Sequence, residues 1–291
     1  MYDLVSIGSI TKDIFVPTDR GKIFKTPKDK LAPVWIGFEL GEKLHVDQIV
    51  EASGGVATNL SLGTGKIGLK SAQLGPAKPA TSVIIVDRKT GERVIFIQKS
   101  SGTIDLKKLD KIATKWLSVS SLTEKWTRQA GQILEYIAKN KTGLILLPST
   151  SQIRDDFSDL KRLLRVAKIL ILNRNEALEI AVKLKNKAES IKDLFKSLHK
   201  LGPEIICVTD GTKGAYCSDG KKIYFSPIKK VKTVDVTGAG DAFAAGFLGF
   251  YLKGSDLKTS LRSGIVNSAS VVQYIGTTKG LLNKPDITKY L

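Results

Sequence analysis

Val234-Asp235-Val236-Thr237-Gly238-Ala239-Gly240-Asp241-Ala242-Phe243 is the stretch on which the reading of this chain turns. Phe247, Phe250 and Tyr251 follow Phe243 at helical spacing and Gly254 closes the run, so small residues lead into an amphipathic helix beginning near Asp241. The first amides of a helix have no internal partners and carry partial positive charge. Gly238, Ala239 and Gly240 place no bulk over those amides, so a phosphate or a transferring phosphoryl group can come within hydrogen-bond distance. Asp241 stands beside that anion site, where a carboxylate can take the proton of an attacking hydroxyl. A tight turn with Asp241 as a helix cap is the plainer alternative. No Gly-Lys-Ser/Thr follows, so this is not a Walker A loop.

Four weaker clusters lie upstream. Ser53-Gly54-Gly55-Val56-Ala57-Thr58-Asn59-Leu60 opens a second helix running to about Lys66; its exposed backbone and an inward Asn59 suit a polyhydroxylated ligand, or simply a turn and helix start. Gly8 and Asp13 follow the first apolar run, which places Asp13 where a substrate hydroxyl could be held, unless it is an ordinary loop aspartate. Leu172-Asn173-Arg174-Asn175-Glu176 turns from strand to helix. Asn173 and Glu176 share a face that could hold hydrated Mg²⁺ near phosphates, or form a helix cap. Val208-Thr209-Asp210-Gly211-Thr212-Lys213-Gly214 could lie along a nucleotide or be a hairpin loop.

Around these clusters, Leu4 to Ile7, Leu144 to Leu147, Ile169 to Leu172 and Ile205 to Val208 read as strands. The last three are apolar at every position, as in a parallel sheet covered on both faces. Trp126 to Lys139 and Glu189 to His199 carry helical apolar spacing between them. This alternation predicts an α/β fold, a doubly wound, mostly parallel sheet flanked by helices. Val83 to Val86, a polar turn, and Arg93 to Ile97 predict a hairpin, and Gly21 to Gln48 has strand-like pieces without helical period. One domain over residues 1–291, with a small β-sheet lid from about 14–48 and 83–97, is the expected organisation.

Length and composition agree. A chain of 291 residues, 42% hydrophobic and 25% charged, buries a sufficient core without disulfides or metal. No apolar run approaches the roughly 20 residues of a membrane span, and the start has no secretory leader pattern. Cys207 and Cys217 lie in apolar strand-like segments, His45 and His199 stand alone, and a Cys/His zinc site is not expected. These features suit a reduced, cytoplasmic compartment. The net charge of +18 attracts anions, but the lysines are dispersed and no nucleic-acid motif accompanies them, so a solvated basic surface is the expectation.

Taken in order, Gly8…Asp13, Gly54-Gly55…Asn59, Asn173…Glu176, Thr209…Gly211…Gly214 and Asp235…Thr237-Gly238-Ala239-Gly240-Asp241 resemble the PfkB/ribokinase family of carbohydrate and nucleoside kinases, from about Tyr2 to about Leu282. The resemblance implies a ribokinase-like fold and ATP-dependent phosphorylation of a sugar-type alcohol with Mg²⁺. It implies Asp241 as general base and the Gly238, Ala239 and Gly240 amides as anion hole. Asp13, Gly54, Gly55 and Asn59 would hold the substrate. Asn173 and Glu176 would position Mg²⁺ and phosphate through water, and Thr209, Gly211, Gly214 and Asn267 would line the ATP pocket. Asp235 and Thr237 match the place where many members hold a monovalent cation such as K⁺. A homodimer through the lid is plausible on the same ground, a membrane partner is not expected, and nucleic acid is a poor candidate. Two departures stand out: Pro76-Ala77-Lys78-Pro79 leads straight to Thr81-Ser82-Val83 where relatives carry a Gly-x-Asp element and a helix, and Val56 replaces a ribokinase lysine, which argues against ribose. A nucleoside kinase on the same scaffold is the near alternative, with Phe15, Trp35 and Phe38 as walls for a base; a non-catalytic phosphate or nucleic-acid binder is the distant one.

Overall fold

The computed structural model describes residues 1–25, 34–98, 102–122, 126–155, 157–186 and 188–291. In chain order it runs β1 (Tyr2–Ile7), β2 (Thr11–Thr18), β3 (Lys22–Lys25), β4 (Val34–Gly37), β5 (Val50–Gly54), α1 (Val56–Lys66), β6 (Ser71–Leu74), β7 (Ala80–Asp87), β8 (Arg93–Gln98) and β9 (Thr114–Val119). It continues through α2 (Trp126–Asn140), β10 (Gly143–Leu146), α3 (Thr150–Asp155), α4 (Phe157–Leu164), β11 (Ala167–Asn173), α5 (Arg174–Lys183) and α6 (Ile191–His199). The last part holds β12 (Ile205–Thr209), β13 (Ala215–Ser218), β14 (Ile223–Ser226), α7 (Ala239–Tyr251), α8 (Leu257–Val271) and α9 (Lys284–Thr288).

The main sheet has the order β14-β13-β12-β11-β10-β9-β1-β6. It is parallel from β12 to β6, and β13 and β14 continue it antiparallel. The continuous apolarity of its strands has a direct cause. Val5, Leu144, Leu170 and Ile206 point into one core with Ile133 of α2, Leu163 of α4, Ile180 of α5 and Phe195 of α6. Their neighbours Leu4, Ile145, Ile169 and Cys207 point into the opposite core with Leu60 of α1, Phe243 and Phe247 of α7 and Leu261 of α8. Helices therefore cover both faces, and each fully buried side chain of this size contributes about 1.5–3 kcal/mol. Cys207 and Cys217 are register partners, both buried as free thiols.

The helix α7 behind the key stretch is held close to α8. A Cβ on Gly246 would stand 2.6 Å from the Ser263 carbonyl oxygen, and one on Gly264 would stand 2.8 Å from the Phe243 ring. This contact of small residues fixes where the N-terminus of α7 emerges above the sheet.

A second sheet, β5-β2-β7-β8, covers the carboxyl ends of the parallel strands. It is mixed: β2 pairs parallel with β7, while β5 and β8 pair antiparallel with β2 and β7. The expected lid boundaries shift accordingly. β2 begins at Thr11 and β5 ends at Gly54, while β3 and β4 form a hairpin of their own. Asp13 therefore sits within a lid strand rather than in a loop. Part of the expected 14–48 segment, residues 26–33, lies outside the described residues. The shortened connection is visible: β6 is the terminal strand of the main sheet, and Gly75 to Pro79 carries the chain into β7 without a helix. No described helix is long and apolar enough to cross a membrane.

Candidate active site

A cavity of about 1530 Å³ lies between the two sheets, at the carboxyl ends of the parallel strands. Its floor is the start of α7. Gly238, the helix cap, has a left-handed backbone with φ 76°, and a Cβ there would stand 2.8 Å from Thr277 Cβ, so only glycine fits both demands. The Ala239 amide donates to the Val236 carbonyl at 3.3 Å, whereas the Gly238 and Gly240 amides have no acceptor among the described residues. These two, together with the Asp241 amide, which likewise has no acceptor among the described residues, are donors available to an anion.

Asp241 lies in the first turn of α7 and faces the cavity. Its Oδ2 accepts from Asn59 Nδ2 at 2.7 Å. Burial pushes its carboxyl up to about 6; the Asn59 hydrogen bond and the Arg93 guanidinium pull down, and the Asp13 charge pushes up. A carboxylate poised there is ionised at neutral pH and retains appreciable basicity.

At the lid end of the cavity, Asp13 is 4% exposed, and its Oδ1 accepts from Ser82 Oγ on the adjacent strand β7. The register Asp13↔Ser82 makes that contact. Gly54 does not line the cavity; it leaves the space that Asp13 occupies, since a Cβ on it would stand 1.9 Å from Asp13 Oδ2. Gly55, by contrast, is in the wall. Thr11 Oγ1 is buried against the same end with no partner among the described residues, an acceptor and donor held ready. Ile84, Ile95 and Ile97 form the lid face of the cavity, with Arg93 beside them. Phe15 is fully buried, and neither Trp35 nor Phe38 is in the cavity wall, so the apolar surface is built of isoleucines instead.

At the opposite end, Asn173, Glu176, Thr209 and Gly211 line the wall. Asn173 and Glu176 form the capping box of α5: Asn173 Oδ1 accepts from the Glu176 amide, and Glu176 Oε2 accepts from the Asn173 amide, both at 2.9 Å. The capping and the functional readings are compatible, because the cap leaves Glu176 Oε1 without a partner among the described residues. Burial raises Glu176 to about 7, with the nearby Glu179 and Asp241 charges adding to the rise. Arg174 Nη1 reaches Asp210 Oδ2 at 3.0 Å and ties the β11–α5 corner to the turn after β12. Gly214 closes that turn with φ 118° outside the wall; a Cβ there would meet the Ser226 carbonyl oxygen at 2.2 Å.

Besides Gly54 and Gly214, two more expected site residues lie outside the wall. Asn267 is fully buried and does not line the cavity. Its Nδ2 donates to the Ala242 carbonyl at 2.7 Å and its Oδ1 accepts from the Leu282 amide at 2.9 Å, so it ties α7 to the chain beyond α8. Asp235 is also fully buried behind the floor. Its Oδ1 accepts from the Thr237 amide at 2.8 Å and hydroxyl at 2.5 Å, and its Oδ2 accepts from the Gly276 amide at 3.0 Å. Thr237 itself is in the wall. Pattern reading missed Arg93, Ser82 and Thr277. Arg93 opens the second strand of the expected hairpin, and neither that pattern nor anything local to Thr277 marks a site residue.

The fold is a ribokinase-like α/β fold. The structure of a Methanocaldococcus jannaschii nucleoside kinase superposes with a TM-score of 0.74 at 18% identity, covering 100% of this chain and 98% of that one. That of the adenosine kinase from Sinorhizobium meliloti superposes with a TM-score of 0.76 at 19% identity, covering 100% and 99%. Residues 73–284 match the pfkB family carbohydrate kinase pattern, and the chain belongs to that family. Among relatives, a cytidine kinase of Thermococcus kodakarensis is 36% identical over 119 residues, 40% of this chain and 41% of that protein. An uncharacterized sugar kinase of Archaeoglobus fulgidus is 28% identical over 227 residues, 72% of this chain and 82% of that protein. The match thus spans less than half of the cytidine kinase and most of the sugar kinase.

Proposed function

We propose that this chain transfers the γ-phosphoryl group of ATP to a hydroxyl of a small polyhydroxylated acceptor, a sugar in the first instance. One observation carries the reading: Asp241 and the free Gly238 and Gly240 amides share the floor of a single cavity, with Asp13 at one end and the Asn173–Gly211 wall at the other. ATP lies along Asn173, Glu176, Thr209 and Gly211, and the acceptor hydrogen-bonds to Asp13 Oδ2 and Thr11 Oγ1. Asp241 takes the acceptor proton as the oxygen attacks, and the amides receive the charge of the migrating group; one such donor is typically worth about 3–4 kcal/mol. The lid sheet keeps water from the transfer.

The residues fit a metal at two places. Glu176 Oε1 has no partner among the described residues, so Glu176 would help to hold Mg²⁺, which would supply neutralisation of phosphate charge and would offset the upward push on this carboxyl. Among the described residues no three His, Cys, Asp or Glu side chains gather, so phosphate and water would supply most of its shell. Among the described residues the hydrogen-bond partners of the buried Asp235 carboxylate are all neutral, so Asp235 and the Thr237 backbone would hold a monovalent cation such as K⁺.

Ile84, Ile95 and Ile97 favour a second reading, a nucleoside acceptor. Ile95 and Ile97 are 45% and 56% exposed, and a base could lie on them with its ribose at Asp13. For assembly, a homodimer through the lid is supported by the outer face of that sheet, where Val94 and Phe96 stand exposed beside Val83 and Ile85. ATP consumption screened over pentoses, ketohexoses, keto-deoxy acids and nucleosides tests the function. Turnover with one class is the expected result; no turnover with any, together with tight, salt-dependent nucleic-acid binding, would move the protein to the non-catalytic reading.

A further inference from the structure

Asn59 was expected to hold the acceptor, yet both ends of its amide are already engaged. Nδ2 donates to Asp241 Oδ2 at 2.7 Å, and Oδ1 accepts from Thr277 Oγ1 at 2.8 Å. Asn59 is 2% exposed and Thr277 3%, so water has little room to substitute for either bond. An amide offers donors at one end and an acceptor at the other. Rotated by half a turn, Asn59 would set its oxygen against a carboxylate oxygen. The carboxylate, which only accepts, therefore sets which end of the amide faces it, and the Thr277 hydroxyl, donating to Oδ1, anchors the amide in that orientation.

Thr277 is itself held. The preceding amide, of Gly276, donates to Asp235 Oδ2 at 3.0 Å, and Thr277 Cβ occupies space that only a glycine at 238 leaves open. We infer that Thr277 is a positioning residue for phosphoryl transfer, orienting the Asn59 amide so that it holds Asp241 Oδ2 and leaves Oδ1 to the acceptor hydroxyl. The inference rests on the reading of Asp241 as the base. It assigns Asn59 to the carboxylate rather than to the acceptor.

Thr277→Val and Thr277→Ser separate this role from packing, because the two roles rank them oppositely. Valine keeps the shape against Gly238 and loses the hydroxyl; serine keeps the hydroxyl and loses the methyl. With ATP and cytidine, ribose and fructose as acceptor probes, the relay predicts that Thr277→Val lowers kcat at least about tenfold with KM for ATP little changed, and that Thr277→Ser stays within about threefold of wild type. The reverse ranking, or two variants alike, overturns it. A readout without turnover is the Asn59 side-chain amide proton, followed by ¹H–¹⁵N NMR in the full chain. Thr277→Val should move it as Asp241→Asn does, and Thr277→Ser should leave it in place. If it ignores Thr277→Val, the relay is wrong while Asp241 keeps its role; if Asp241→Asn turns over like wild type, the base reading fails and takes the relay with it. Should Thr277→Val not fold, Thr277→Ser alone decides, since packing predicts loss and the relay predicts wild-type behaviour.

Discussion

Asn59 Nδ2 and Asp241 Oδ2 meet at 2.7 Å although they are 182 positions apart. The bond joins the start of α1 to the start of α7, so the two glycine-rich helix entrances form one site. It also leaves Asp241 with one oxygen for a substrate proton. Asp241→Asn keeps the shape and removes the basicity. The expected result is a kcat at least about 100-fold lower with ATP affinity nearly intact, a loss of the size general-base catalysis supplies. Steady-state kinetics with ATP binding measured separately checks it, and near wild-type turnover would remove Asp241 from the role.

The pH profile should carry the same carboxylate. Its value is pushed up to about 6, chiefly by burial. The base works ionised, so kcat/KM should fall as pH drops through about 6. Arg93 is one of the influences holding the value down. Arg93→Gln should therefore shift the acidic limb to higher pH, and an unmoved or lowered limb would refute the coupling. Stability runs the other way. Because the folded value lies above the ordinary 3.8, this group's contribution is fully present below about pH 4 and is lost as pH rises through about 6.

Much of the fold was legible because its cause is local. Strands buried on both faces must be apolar at consecutive positions, and Leu144-Ile145-Leu146 and Ile169-Leu170-Ile171 are. Thr114–Val119 escapes a pattern reading because Lys115 and Ser118 interrupt it, although it is a central strand. The helix α8 is hidden for a different reason: Ser260, Ser263, Gly264 and Asn267 make its buried side small and polar, as close packing on α7 requires. In the site, glycines mark the helix entrances that carry Asn59 and Asp241, and the Asn173–Glu176 capping spacing marks the third. Thr277 has no such marker, since its importance comes from a contact across 218 positions. Asn267 was misplaced because a resemblance gives a residue's neighbourhood and not whether its amide faces a cavity or a carbonyl.

Asp13 and Gly54 give a paired prediction. Asp13→Ala removes the carboxylate that faces the acceptor end and should raise KM for the acceptor far more than KM for ATP. Gly54→Ala should do nearly the same without touching Asp13 chemically, because the new methyl would stand 1.9 Å from Asp13 Oδ2 and must displace it. Kinetics with the acceptor found in the screen decides. Equal changes in both KM values for Asp13→Ala, or an unchanged acceptor KM in Gly54→Ala, would contradict the assignment.

Glu176 supplies a test that separates charge from capping. Its carboxyl is raised to about 7, so near neutral pH part of the population must lose a proton to meet a cation. The Mg²⁺ concentration for half-maximal rate should therefore fall as pH rises through about 7. Glu176→Gln preserves a side chain that can close the capping box with Asn173 and removes the ionisation. It should leave the melting temperature close to wild type, raise the Mg²⁺ requirement about tenfold, as expected for weakened outer-sphere support, and abolish the pH dependence of that requirement. Thermal melts read the first, Mg²⁺ titrations of the rate at pH 6, 7 and 8 read the other two, and a Glu176→Gln enzyme with an unaltered Mg²⁺ requirement would reduce Glu176 to a cap.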